Sequence, residues 1–194
     1  EPEASAKREE AVAMLMRMYT KLNQHIDELH AFYAIRSYQQ KDMISKLDSV
    51  SFGWSALDYN STNEQVFINT TQLNNNEFYI PEGSDEVVKL AKKNKVSTQL
   101  NVFASQEKKV PDENGNSTIG IIEYVLRNPN IREKIIKEIC IQLDNMSFDG
   151  VVIDFEGMKG DTLKRQFNEF LAELRRELKD KKLYYNSEGI SPEV

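Results

Sequence analysis

Cysteine is almost missing from this chain. Cys140 is the single one among 194 residues, which excludes an intrachain disulfide and every disulfide-built scaffold. Long apolar runs are missing as well: no stretch approaches the roughly 18 apolar residues of a membrane helix, so no membrane span is expected. Basic charge is not in excess, with Lys+Arg 25 against Asp+Glu 31 and a net charge of -6. A phosphate backbone wants a basic face, so nucleic acid is excluded as a partner. Histidine is scarce, and His25 and His30 have no companions at ligand spacing, so neither a metal nor a cofactor is expected. Gly157-Met158-Lys159-Gly160 is too short for a phosphate-cradling loop. With 8 Gly and 5 Pro, collagen-like and disordered classes fall away. A globular domain able to bury a sizeable core remains.

The hydrophobic pattern fills in that domain. Residues 29–35, 50–57, 96–103 and 148–155 read as short apolar strands. Helical patterns alternate with them: a weak one at Lys41–Leu47, one at Ser84–Lys93 opened by Ser84 as N-cap, and Ile119–Leu126. Asn128-Pro129 then starts a helix carrying Ile131, Ile135, Ile139 and Leu143 on one stripe. The clearest helix runs from Asp161, read as its cap, to about Asp180, with Leu163, Phe167, Phe170, Leu174 and Leu178 on one face. Strand followed by helix, repeated, predicts an α/β fold with a parallel sheet. The apolar Val151-Val152-Ile153 fits a strand buried on both faces. Residues 60–83 read as a long Asn-rich connection containing a hairpin, and 108–117 as a polar loop. Cys140 sits within an Ile-rich run and reads as a small buried hydrophobe.

The chemistry concentrates in Phe148-Asp149-Gly150-Val151-Val152-Ile153-Asp154-Phe155-Glu156. Strand alternation places Asp154 and Glu156 on one face together with Val152. Active sites of parallel α/β sheets lie at the C-terminal ends of the strands. Two carboxylates this close favour keeping one protonated, as a general acid requires. A lone acidic residue there would read as a helix cap; Asp149, Gly150, Asp154 and Glu156 in one buried strand read as function.

This segment resembles the signature of glycoside hydrolase family 18, the chitinase-type enzymes, whose fourth strand reads Asp-Gly-x-Asp-x-Asp-x-Glu. Asp149, Gly150, Asp154 and Glu156 match it, and Val152 replaces the middle acid. Members acting on bacterial peptidoglycan, including spore-cortex hydrolases, often have a non-acidic residue there. The resemblance spans about residues 29–182 and implies a (β/α)8 TIM-type barrel of which the first four to five βα units are present. It implies a polysaccharide substrate, peptidoglycan or chitin, with Glu156 as proton donor and Asp154 orienting the substrate's own acetamido nucleophile. Val152 removes a proton-sharing partner from Asp154. Trp54, Tyr38, Asn101 and Phe103 are the candidates for substrate contact at strand ends. The rival reading is a non-catalytic module that binds cell-wall glycan.

A second resemblance concerns the start. Residues 7–19, rich in Met, resemble the closing helix of an S-layer-homology repeat, within an amphipathic helix over Ser5–Leu22. The chain thus divides into a leader, 1–28, and the barrel-type part, 29–194. A secreted or cell-surface protein of a Gram-positive-type bacterium or spore is implied, cut inside an anchor module. Barrels of this type take about 250 residues, and a Tyr and a Trp that the family places in later strands have no positions here. The isolated chain is therefore expected to be a nearly inactive fragment. A first and fourth strand without neighbours predict a homodimer through the sheet edges.

Overall fold

The computed structural model describes residues 12–17, 27–115 and 117–186. From His30 the order is β1 (His30–Tyr33), a run of 3-10 turns (Ile35–Lys46), β2 (Ser49–Asn60), β3 (Gln65–Asn69), α1 (Ser84–Lys93) and β4 (Ser97–Ser105). There follow β5 (Lys109–Pro111), β6 (Thr118–Gly120), α2 (Ile121–Arg127), α3 (Pro129–Met146), β7 (Gly150–Glu156), α4 (Asp161–Leu178) and β8 (Lys182–Tyr185). Strands β1-β2-β4-β7-β8 lie side by side, all parallel and in chain order. This is the expected α/β sheet of barrel type, in part. The fourth parallel strand, β7, has a neighbour in β8, so it is not the edge that the sequence reading made it.

Helices cover one face of the sheet. Val102, Ala104, Val151, Ile153 and Phe155 are fully or almost fully buried there. The α4 stripe Leu163, Phe167, Phe170, Leu174 and Leu178 packs into the core, with the Phe167 and Phe170 rings 5.8 and 5.7 Å from Phe155. Ile135, Ile139 and Leu143 of α3 are wholly buried. Asn128 caps that helix as expected, its Oδ1 accepting from the N–H groups of Asn130 and Ile131. The other two caps differ from expectation. Gly83 and Gly160 hold the cap positions, and Ser84 and Asp161 begin the helices instead, where Asp161 favours the positive end of the dipole. Arg132 joins α3 to α4: it is buried and forks onto Glu173 at 2.7 Å while also donating to the Leu126 carbonyl. Cys140 packs against this core, and burial pushes its thiol pKa up, as befits an unreactive cysteine.

The first crossover is not an α-helix. Ile35–Lys46 has only Ile44 buried and lacks a 3.6-residue apolar stripe, so it winds as successive 3-10 turns. The long connection does not form a hairpin of its own: β3 lies antiparallel on the second half of β2, and residues 78–80 are not a strand. Residues 108–117, expected as loop, belong in part to the small β5–β6 hairpin. Residues 12–17 are helical, with Val12 and Leu15 more than half exposed, so this turn does not bury the expected face. The remainder of the leader helix and of the S-layer-like segment, with His25 and the tail 187–194, lies outside the described residues.

The opposite, concave face carries His30, Ser49, Ser51, Gln99, Asn101, Val152 and Tyr184, placed there by the strand registers. First and last strands meet across it. The His30 and Tyr184 rings are 5.5 Å apart, and Tyr184 Oη donates to Glu28 at 3.0 Å. His30 is gripped by Ser49 Oγ at Nδ1 (2.6 Å) and Ser51 Oγ at Nε2 (2.8 Å). Burial lowers its pKa, outweighing the pull of Glu28, and Lys182 lowers it further. The Ser49 hydroxyl holds the Glu28 carboxyl below its ordinary value against burial, helped by Tyr184 and Lys182. Both groups bind protons more tightly in the unfolded chain, so both contributions are present at neutral pH and lost on acidification. The His30 part fades first, below about pH 6.5, and the Glu28 part below about pH 4.5. The urea midpoint is expected to fall between pH 7.5 and 5, and His30→Gln to flatten that dependence; an equal slope in the variant would assign it elsewhere.

Candidate active site

The two motif residues at the entrance of β7 do structural work. Asp149 Oδ2 accepts from the Thr98 N–H at 2.8 Å and from its hydroxyl at 3.0 Å, which fixes β7 against β4. Gly150 lies where β8 approaches: a Cβ there would stand 2.4 Å from the Lys182 carbonyl oxygen and 2.8 Å from its Cβ. Backbone cannot yield as a flexible side chain does, so Gly150→Ala is expected to cost about 1–3 kcal/mol. A urea midpoint equal to that of the unsubstituted protein would show that β8 gives way freely.

Asp154 and Glu156 emerge at the other end of the strand. Register puts Asn101 beside Val152, Phe103 beside Asp154 and Ser105 beside Glu156, all on the concave face. Val152, beneath Asp154, is buried and offers no polar group. Two amides serve the carboxylate instead. Asn186 Nδ2 donates to Asp154 Oδ1 at 3.0 Å, and Asn101 Nδ2 stands 3.4 Å from Oδ2, a longer and weaker contact. Asn101 Oδ1 is buried and without a protein partner. Glu156 is exposed, but its backbone is anchored. Its carbonyl accepts from the Gln106 N–H at 3.0 Å, and the Gln106 amide is locked in turn to the side chain and N–H of Glu123. A held carboxylate thus sits beside a free one on a rigid strand end. Such a pair can orient one polar group and pass a proton to another. Among the described residues, no group of three His, Cys, Asp or Glu side chains could hold a metal ion.

No family model and no curated protein sequence matches the chain. Solved structures do. Catalytic domain 2 of the Group II chitinase of Ostrinia furnacalis aligns with TM-score 0.59 and 16% identity, over 81% of this chain and 42% of that one. The spore cortex-lytic enzyme SleL of Bacillus cereus aligns with TM-score 0.57 and 14% identity, over 81% and 34%. The GH18 chitinase ChiB of Flavobacterium johnsoniae gives 0.53 and 14%, over 81% and 45%. The fold is shared with these structures over the part that aligns. The chain spans less than half the length of each of these neighbours.

Within this fold the aromatic candidates separate. Phe103 lies at the site, stacked on Phe78 with ring centroids 4.3 Å apart and planes at 18°. Asn101 also lies there. Trp54 does not offer a face to a ligand, contrary to the sequence expectation. It is 0% exposed, stacked on Phe52 at 4.3 Å, with Tyr33 and Phe148 against it. Register puts Phe52 beside Leu100 and Val151, on the helix-covered side, and Trp54 follows it there past an irregularity between Phe52 and Ser55. Tyr38 is partly exposed, yet its hydroxyl is bonded to Glu86 at 2.6 Å and Lys41 covers its ring at 4.5 Å. It fastens the 3-10 run to α1. Asn186, bonded to Asp154, and Phe78, stacked on Phe103, adjoin this strand end and were not among the residues singled out from the sequence. The run Lys182-Leu183-Tyr184-Tyr185-Asn186 offers the beginning of a fifth strand, whereas nothing in the sequence singles out Phe78.

Proposed function

We propose that the chain carries the acid and the orienting carboxylate of a glycoside hydrolase acting on N-acetylhexosamine polymers, peptidoglycan or chitin. The observation that carries this reading is the division of labour at the end of β7: Asp154 held through both oxygens by amides, Glu156 open to solvent two residues on. Glu156 protonates the glycosidic oxygen. The acetamido oxygen of the same sugar attacks the anomeric carbon, displacing the leaving group. Asp154 accepts the acetamido N–H and stabilises the positive charge that grows on that nitrogen. Water then opens the cyclic intermediate, with Glu156 taking the proton back, and the anomeric configuration is retained. No enzyme nucleophile takes part, in keeping with two carboxylates on one strand rather than flanking the bond. Folds of this type in SleL and the chitinases support a wall- or chitin-directed role outside the cytoplasm. Among the described residues, no helix is long and apolar enough to cross a membrane.

The test is release of reducing ends from chitin oligomers and from peptidoglycan, expected to be slow for a chain that spans less than half the length of its structural neighbours, with the product anomer followed by proton NMR. Retention is expected. Asp154→Asn is expected to reduce turnover about 10²-fold or more, because a neutral amide no longer answers the developing charge. Inversion, or undiminished turnover in Asp154→Asn, overturns the mechanism. The rival, a module that binds glycan without cleaving it, requires oligomer binding with no release at all.

A further inference from the structure

We infer that Phe78, backed by Phe103, is a stacking platform for an N-acetylhexosamine ring, carried on a pre-built strap over residues 69–80. This deepens the glycosidase reading, on which its choice of ligand rests. Register places Phe103 next to Asp154, and Phe78 stacks on Phe103, so the pair begins where the carboxylates end. Unlike the core rings Phe52, Trp54, Phe148 and Phe155, which are at most 1% exposed, Phe78 and Phe103 are only half-buried. A stacked pair left open beside charged groups fits the apolar face of a sugar ring.

The strap is rigid for reasons its sequence did not advertise. Asn76 Nδ2 donates to the carbonyls of Asn69, Thr71 and Phe78, and its Oδ1 accepts from the Phe78 N–H at 3.0 Å. Asn69 is the second hub: it donates to Asp58 Oδ2 at 2.7 Å and to the Leu73 carbonyl, and accepts from Thr71 N–H and hydroxyl. Asp58 is itself buried; burial pushes its carboxyl up, but Lys108, Asn69 and the Tyr59 N–H together hold it below its ordinary value. Fixed loops of this kind lower the entropy lost on binding.

Beyond Phe78 opens a groove of about 760 Å³, bounded by Ala34, Arg36, Gly53, Gln72, Asn75 and Phe78 itself. Its apolar floor and amide and guanidinium rim suit a sugar's C–H face and its hydroxyl and acetamido groups. Gly53 keeps the floor open: a Cβ there would meet nothing nearer than the Tyr33 carbonyl at 3.8 Å, so a larger side chain projects into the groove without a clash at its root.

The experiment is calorimetric titration of the Glu156→Gln full chain with N-acetylglucosamine hexamer and, separately, with peptide-free glycan strands of peptidoglycan. Phe78→Ala in that background is expected to weaken binding about tenfold or more, and Phe78→Trp to preserve it. Gly53→Leu, which leaves the Phe78–Phe103 packing intact, is expected to weaken binding to the same degree. The tighter of the two probes identifies the source of the ring. Binding within twofold of the parent in both Phe78→Ala and Gly53→Leu overturns the platform, as does failure of the parent to bind either probe. Absence of hydrolysis in the unsubstituted chain, with oligomer binding that depends on Phe78, overturns the catalytic reading alone and supports the platform.

Discussion

Glu156→Gln is expected to lower glycan hydrolysis by about 10²–10⁴-fold while leaving oligomer affinity nearly unchanged. The side chain is exposed and makes no contact that the fold depends on, its backbone being held through Gln106. Glutamine keeps the shape and removes the proton that the leaving oxygen needs. Substrate grip comes from other groups, so KM or Kd should move far less than kcat, the signature of an interaction made in the transition state. Burial is slight here, so a rise in unfolding midpoint or none at all is expected, and a large fall would assign Glu156 a structural role. Hydrolysis that survives in Glu156→Gln at the original rate would sink the glycosidase reading as a whole.

The second large effect concerns Trp54. Trp54→Ala is expected to destabilise the fold by about 3–5 kcal/mol, the usual cost of emptying a buried aromatic site. The indole is wholly enclosed, and its loss strips one side of Phe52 as well as the edges of Tyr33 and Phe148. The Nε1–H has no protein partner, so Trp54→Phe gives up no hydrogen bond and should recover much of the loss. Urea unfolding followed by far-UV circular dichroism reads both variants. If Trp54→Ala kept its midpoint and lost oligomer binding instead, the residue would be a sugar platform and the core would be misassigned.

Trp54 also shows where the sequence stops being informative. Alternation says that Phe52 and Trp54 share a face but not which face, and the only tryptophan of a chain read as binding sugar invites the exposed choice. Packing decided otherwise, because the residues aligned with Phe52 across the sheet lie under the helices. Asn101, Phe103, Asp154 and Glu156 were readable since one period-two rule links strands whose registers run parallel. Asn186 was half readable: its strand was visible, its meeting with Asp154 across 32 positions was not. Phe78 was unreadable, for a strap shaped by side-chain amides has no periodicity. The caps at Gly83 and Gly160 escaped because a polar residue beside a helix start looks like a cap whether or not its backbone turns there.

Among the described residues β8 pairs with one strand only, over four residues, and that pairing depends on the missing methyl group of Gly150. Asn186, the firmer of the two donors to Asp154, follows immediately upon it. An edge element this short belongs to the part of a fold that opens first, on a timescale seen by amide hydrogen exchange. Each opening takes Asn186 away and frees Asp154 Oδ1. The fraction of molecules with a correctly aimed carboxylate is therefore governed by the local opening equilibrium of the last strand, not by the global stability of the domain.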